Sequence, residues 1–201
     1  GRKPNSQGLN LESLDIHTDK GFIQIDESMR VLNSGKTIPN LWAVGDVTGK
    51  LMLAHTAAAQ GTIAVENICG SNKSIDYNSI PSATFTHPEI SSVGLSENEA
   101  KENAEKEGFN IGIVKSYFKA NSKALAEIES DGMLKLIFNK DSGQVLGAHI
   151  FGIHAADLIQ EVANAISRNQ VVSELSSEVH THPTLSEVVE VAYKQAASQI
   201  K

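Results

Sequence analysis

The chain has 201 residues, 40% of them hydrophobic and 20% charged, and a formal net charge of −7. That suffices for one sizeable core or two small ones, at the composition of an ordinary globular protein. The acidic balance and scattered Lys and Arg exclude a nucleic-acid surface, and no apolar run approaches the roughly 18 residues of a membrane span. The one cysteine, Cys69, leaves no Cys-x4-Cys pair or internal disulfide within these residues and fits a reducing compartment.

In chain order, Phe22-Ile23-Gln24-Ile25 alternates like a short strand. Ile38-Pro39-Asn40 marks a turn, and Leu41-Trp42-Ala43-Val44 reads as a buried strand ending at Gly45-Asp46. The Ala-rich stretch 51–69 is apolar nearly all round, which predicts a buried helix, with Gly70 ending it. Residues 71–81 are polar and turn-forming, so a first piece over 1–72 is expected, with a linker over 73–81.

The second piece is expected over 82–201. Residues 83–86 and 92–95 read as strands. Ser96 caps a charged helix over 97–107, Glu99 completes its capping box, and Gly108 ends it. Residues 111–118, 133–138 and 145–150 alternate, and Asp141-Ser142-Gly143 is a hairpin signal between the last two. Helices are expected over 155–167, 171–177 and 184–200. The first of these has Leu158, Ile159, Val162, Ala165 and Ile166 along one side. Strands joined by a hairpin and followed by helices indicate an α+β domain. The apolar faces of 155–167 and 184–200 are expected to carry contacts to a second copy.

The chemistry concentrates in His180-Thr181-His182-Pro183-Thr184-Leu185-Ser186-Glu187. A helix can start after Pro183 with Thr184 as its cap, so that Glu187 folds back toward His182. A carboxylate beside an imidazole favours the charged ring and fixes its orientation, which suits a proton carrier. Thr184-x-x-Glu187 is also a capping box, which needs no chemistry. His180, His182 and Glu187 do not complete a cluster of metal-ligand spacing, and no metal site is expected. Asp46 follows a Gly at a strand end, where ligands collect in α/β folds, or it is an ordinary turn aspartate. His87-Pro88-Glu89 is discounted as a second His–carboxylate pair. His55 reads as a core or surface histidine, His17 as exposed, and His149 and His154 as no metal pair.

The run HTHPTLSE resembles the C-terminal signature of the dihydrolipoamide dehydrogenases, which are flavin disulfide reductases. Gly1-Arg2-Lys3-Pro4-Asn5 resembles the exit from that family's NAD domain. LWAVGD at 41–46 and LMLAH at 51–55 resemble its second flavin motif, and FTHPEISSVGL at 85–95 resembles the entry to its interface domain. The resemblance covers essentially the whole chain. It implies that 1–72 is the C-terminal segment of an α/β FAD-binding domain. It implies that 82–201 is an interface (dimerisation) domain with an antiparallel sheet and flanking helices.

Further implications concern chemistry. FAD and NAD are the implied cofactors. Asp46 would accept a hydrogen bond from the flavin ribityl chain, and the backbone at Met52, Leu53 and Ala54 would face the flavin's pyrimidine edge at a helix start. His182 would take the proton from the attacking thiol of dihydrolipoamide, with Glu187 orienting the ring and His180 positioning substrate or loop. The resemblance also implies a cis His182-Pro183 bond. The pair would reach into the disulfide site of the partner subunit in a homodimer. The implied protein partner is a lipoyl-bearing acyltransferase or a glycine-cleavage carrier protein, in the cytoplasm or in an organellar matrix or stroma. The Ser91-Ser92 pair departs from the Ala-Trp of many mitochondrial relatives and points to a bacterial or plastid-like subgroup.

These residues carry no initiator Met, no Gly-x-Gly-x-x-Gly loop and no redox cysteine pair. The expectation is therefore the C-terminal part of a longer flavoenzyme, inactive by itself, with a first piece poorly stable alone. The alternatives are a related glutathione-type disulfide reductase and a dimerisation module without chemistry.

Overall fold

The computed structural model describes residues 3–200, so Gly1 and Arg2 of the opening motif lie outside the described residues. Tertiary contacts divide the chain into two units, the first ending at Tyr77 and the second starting at Asn78.

In the first unit, β1 (Arg30–Asn33) and β2 (Lys36–Trp42) form an antiparallel hairpin. Its loop is Ser34-Gly35, both at positive φ (51° and 78°), as a two-residue turn matched to strand twist requires. Pairing jumps from Leu32↔Thr37 to Arg30↔Trp42. The turn expected at Ile38-Pro39-Asn40 is therefore a bulge inside β2, where Pro39 need not donate to a ladder and Asn40 takes φ 58°. The buried strand expected at 41–44 is likewise corrected, since Leu41 and Trp42 are half-buried, Val44 is exposed and only Ala43 is buried.

The alternation at 22–25 is real, with Ile23 and Ile25 buried and Gln24 exposed. It makes only isolated bridges, Asp19↔Phe22 and Ile25↔Val31, because no neighbour runs alongside it for a full strand. Helix α1 (Ala54–Ile68) starts three residues later than expected. It buries a single stripe, Thr56, Gln60 and Ala64, and leaves Val65 and Ile68 exposed, so it is not buried all round. Apolar composition specified the helix but not what covers it. Beyond Gly70, the Asn67 amide clamps both backbone groups of Lys73, and the Ile75 amide bonds to the Glu27 carbonyl at 3.0 Å.

The second unit is α+β. Its strands are β3 (Ser82–Thr84), β4 (Glu89–Gly94), β5 (Ile111–Tyr117), β6 (Met133–Asn139) and β7 (Val145–Gly152). They form one sheet in the order β3-β4-β7-β6-β5, antiparallel throughout. Helix α2 (Glu97–Glu107) has the full Ser96/Glu99 capping box and a left-handed Gly108 at its end, as expected. The short α3 (Ser122–Ala126), capped by Asn121, falls where no element is expected. Helices α4 (Ala155–Ser167), α5 (Val172–Leu175) and α6 (Glu187–Ala197) follow.

The core lies between one face of the sheet and α4, α5 and α6. Leu134, Leu136 and Phe138 alternate along β6 and are fully buried. They join Ala148 and Ile150 of β7, Ile159, Val162 and Ala165 of α4, and Val188, Val189, Ala192 and Tyr193 of α6. The helix faces assigned to a second copy are thus occupied by this domain's own sheet, a correction to the sequence reading. The apolar surface left exposed is elsewhere. Register places Ile90 opposite Phe151, Phe151 opposite Met133 and Met133 opposite Tyr117. Directly opposed residues share a face, so these four form a row across β4, β7, β6 and β5. Ile90, Phe151 and Tyr117 are each more than two-fifths exposed.

Gly112 on β5 sits against the Phe138 ring, which occupies the space a Cβ would need. Leu136→Ala should lower the stability of the second unit by about 2–5 kcal/mol, the range for truncating a buried leucine in a close-packed core. Urea unfolding measures it, and a loss under about 1 kcal/mol would mean that Leu136 is not a core residue.

Candidate active site

Between α5 and α6 the chain crosses the surface. Residues 177–183 are exposed except for His180. The His182-Pro183 peptide is cis, as the resemblance implies. Past it, Glu187 opens α6 and turns its carboxylate back over the loop. Oε1 lies 2.8 Å from His182 Nδ1, and Oε2 accepts from the Thr184 amide at 2.9 Å. The two readings of the sequence, orienting carboxylate and helix cap, are met by separate oxygens of one side chain.

The capping box is only half formed. The Thr184 hydroxyl donates to the Thr181 carbonyl at 2.6 Å, and the assigned helix starts at Glu187, not Thr184. The loop is held further by Asn121, whose Nδ2 donates to the Thr184 carbonyl at 3.0 Å while its Oδ1 caps α3. Ser116 of β5 donates to the Val188 carbonyl at 2.6 Å and ties the first turn of α6 to the sheet.

Chiefly the Thr184 amide, and then His182, hold the Glu187 carboxyl below its ordinary 4.5. It is therefore ionised at neutral pH and accepts at both oxygens. With Nδ1–H given to Glu187, the His182 lone pair is on Nε2. The ring is 70% exposed and edges an open cleft of about 420 Å³ lined by Lys115, Tyr117, Asn121, Glu190 and Val191 among others. An exposed Nε2 on an oriented ring can take a proton from a bound ligand.

His180 points the other way. Its side chain is only 9% exposed, and Nε2 lies 2.9 Å from Glu161 Oε1 on α4. It therefore faces the domain, not the cleft. Burial pushes the Glu161 carboxyl up, His180 pulls it back, and Glu178 and Glu190 add to the rise.

His87, His149, His154 and His17 lie in other surroundings. His87, after which Pro88 is also cis, is exposed 3.3 Å from Glu129. Glu89 instead accepts the Ala156 amide at the start of α4. His149 is half-buried against the Leu95 carbonyl, and burial lowers its pKa. His154 pairs with Asp157 and His17 with Asp15, both at the surface. Among the described residues no group of His, Cys, Asp or Glu is placed to hold a metal, and no helix is long and apolar enough to cross a membrane.

In the first unit, Gly45 (φ 83°, ψ −163°) leads into a 3-10 turn that begins at Asp46, with an exposed carboxylate. The turn is fixed from beneath. The fully buried Gln60 accepts the Gly45 amide at 2.6 Å and donates to the Tyr77 hydroxyl at 2.9 Å. Sequence reasoning missed Gln60, as it missed Asn121, Ser116 and Glu161, because a lone polar residue in an element has no pattern.

Of the backbone groups expected to face a flavin, the Leu53 amide is bound to the Leu51 carbonyl at 2.9 Å and Leu53 is the helix N-cap. Ala54 and Thr56 lie in the first turn, before the first internal helical bond, made by Ala57. The buried Thr56 hydroxyl has no partner, and Leu51 and Met52 are exposed apolar residues beside it in sequence. An exposed carboxylate, first-turn amides, an orphaned hydroxyl and apolar cover fit a flavin with a polar side chain.

Residues 80–193 match the family model described as the dimerisation domain of pyridine nucleotide-disulphide oxidoreductases, and residues 1–61 match a second model of the same name without that qualifier. The chain belongs to the pyridine nucleotide-disulphide oxidoreductases, a family that uses FAD and NAD.

Within the family, its relatives include a dihydrolipoyl dehydrogenase of Synechocystis sp., 57% identical over 98% of this chain and 42% of that one. Dihydrolipoyl dehydrogenase 2, chloroplastic, of Arabidopsis thaliana is 53% identical over 98% of this chain and 35% of that one. The mitochondrial dihydrolipoyl dehydrogenase of Mus musculus is 41% identical over 98% and 37%. Among solved structures, LpdA of Mycobacterium tuberculosis superposes with a TM-score of 0.84 at 28% identity, over 97% of this chain and 41% of that one. The chain thus spans about two-fifths of the length of the curated relatives it matches.

Proposed function

We propose that the chain supplies the end of the flavin-binding domain and the dimerisation domain of a dihydrolipoyl dehydrogenase, which oxidises dihydrolipoamide with NAD as acceptor. The observation that carries this reading is the His182–Glu187 pair, with Nδ1 held at 2.8 Å on a 70% exposed ring that edges the cleft.

His182 Nε2 accepts the proton of one substrate thiol, because the thiolate is the nucleophile toward a disulfide. That thiolate attacks a redox disulfide and releases one enzyme sulfur as thiolate. The second substrate thiol gives its proton to that sulfur and closes lipoamide by displacing the other. Two electrons and one proton then remain on the enzyme's sulfurs, and one proton on His182. Glu187 holds the ring in register and carries the charge opposite the imidazolium that forms. A bound FAD would supply the electron path from the reduced sulfurs to NAD. Asp46, the backbone at Met52, and the first-turn groups of Ala54 and Thr56 are the groups of this chain proposed to hold FAD, the Leu53 amide being already bonded to the Leu51 carbonyl. The redox disulfide needs two cysteines and this chain has one, exposed Cys69, so the chain alone is proposed to be inactive.

A homodimer is part of the proposal. The exposed row Ile90, Phe151, Met133 and Tyr117 supports it, since apolar surface of this kind marks an interaction site. The protein partner proposed is a lipoyl-bearing acyltransferase or glycine-cleavage carrier. The cyanobacterial and chloroplast relatives support a bacterial cytoplasm or a plastid stroma.

Substrate choice tests the reaction. The flavoenzyme containing this chain should turn over dihydrolipoamide with NAD and should neglect glutathione disulfide with NADPH. Preference for the glutathione couple would replace this reading with that of a glutathione-type reductase.

A further inference from the structure

The loop that carries His182 is tethered on both sides, and one tether lies outside the chemistry described so far. On the C-terminal side, Glu187, Thr184 and Asn121 fix the chain. On the N-terminal side, residues 177–181 offer one inward side chain, His180, with Val179 on one flank 95% exposed and Thr181 on the other also at the surface. His180 ends on Glu161, which lies on α4 between the buried Ile159 and Val162. That helix packs in the core through Ala155, Ile159, Val162, Ala163 and Ala165.

We propose that Glu161 and His180 form a second, buried His–carboxylate pair whose role is to position His182. The two imidazoles of the His-x-His run are then held by two carboxylates from two core-packed helices, Glu161 from α4 and Glu187 from α6. His180 donates Nε2–H to Glu161, and its Nδ1 is buried without a partner. The ring is a strut and not a proton carrier, because neither nitrogen reaches the cleft. The charged and titratable groups around Glu161 are His180, Glu178, Glu190 and the buried Tyr193 hydroxyl. None of them offers a second cation, so a side chain at 161 that cannot accept a hydrogen bond leaves His180 without a partner.

The proposal rests on His182 being the base, and its test separates the two. In the flavoenzyme containing this chain, Glu161→Leu should lower kcat with dihydrolipoamide about 10-fold, the order expected for misplacing a reacting group by a fraction of an ångström to an ångström. KM and flavin content should hold. Glu161→Gln keeps an acceptor for Nε2–H and should recover most of the loss. In a His182→Gln background, Glu161→Leu should cost nothing further, because there is no base left to misplace. Unchanged kcat in Glu161→Leu, or a full additional loss in the double variant, would overturn the positioning role.

If His182→Gln alone leaves turnover intact, the base assignment fails instead. The NMR of the chain still decides the tether: one set of His182 ring signals in the wild type, and broadened or multiple signals in Glu161→Leu. Should Glu161→Leu fail to fold, the wild-type spectrum must show a slowly exchanging His180 Nε2–H. Its absence would refute the pair.

Discussion

Replacing His182 by Gln is expected to slow dihydrolipoamide turnover about 10²–10⁴-fold, the usual worth of a positioned acid–base group. The glutamine amide can occupy the site of the ring but cannot accept and return a proton near neutral pH. Flavin content should be unchanged, because the groups proposed to hold the flavin belong to the first unit and the loop of His182 to the second. Stability should be nearly unchanged as well, since the ring is 70% exposed and its one bond is to a carboxylate that keeps its bond to the Thr184 amide. Turnover within about threefold of wild type would remove His182 from the reaction.

Glu187→Gln is the second large effect, and the geometry makes it sharper than loss of a charge. In the wild type both carboxylate oxygens accept, one from His182 Nδ1–H and one from the Thr184 amide. A glutamine has one oxygen and one NH₂. If the oxygen keeps the Thr184 amide, the NH₂ faces Nδ1 and donates to it. The ring proton then moves to Nε2, the atom that must accept from substrate. A wrong tautomer at a triad histidine costs about 10⁴-fold in a serine protease, and a loss of about 10²–10⁴-fold, the worth of a positioned acid–base group, is expected here.

Helix stability should hardly change in Glu187→Gln, because the cap bond survives. Glu187→Ala removes both bonds and should also cost about 0.5–2 kcal/mol, as cap deletions do. Near-normal kcat in Glu187→Gln, at saturating dihydrolipoamide and NAD, would show that Glu187 is a cap and nothing more. The acid side follows from the same bonds. A carboxyl held below its ordinary value adds stability that is present above about pH 4.5 and lost as pH falls through its lowered value. The pair is therefore intact throughout the neutral range.

The parts of this fold legible in the sequence are those set by local pattern. The capping box at Ser96 and Glu99 and the strands at 111–117 and 133–139 follow from spacing alone, and the structure returns them nearly residue for residue. The misreadings share one cause, which is that burial depends on partners the pattern does not name. Residues 51–69 are apolar around their circumference, yet only the Thr56, Gln60 and Ala64 stripe is covered. The apolar faces of α4 and α6 looked available to a second copy, yet they close on the sheet of their own domain. Pro39 and Asn40 read as a chain reversal, and a hairpin already closed at Ser34-Gly35 turned them into a bulge.

At the candidate site, the His182–Glu187 pair was legible because its members lie five residues apart, whereas the cis His182-Pro183 bond was implied only by the family resemblance. Asn121, Ser116 and Glu161 reach that loop from 63, 72 and 19 residues away. No local motif could announce them. In the first unit, the turn at Gly45-Asp46 was legible although the strand before it ends at Trp42, and the helix start was misplaced by three residues. Leu51, Met52 and Leu53 continue the apolar pattern of the helix without its geometry.

His182 and Glu187 are proposed to act on a disulfide held by the other subunit of a homodimer. A mixed dimer distinguishes this from action within one subunit. One subunit carries His182→Gln and the other lacks its redox cysteines, so each homodimer alone is inactive. If the pair works across the interface, the mixed dimer has one complete site and should recover about half the wild-type turnover per dimer. If the pair serves its own subunit, both sites of the mixed dimer are broken, and turnover no higher than that of the two inactive homodimers would contradict the account.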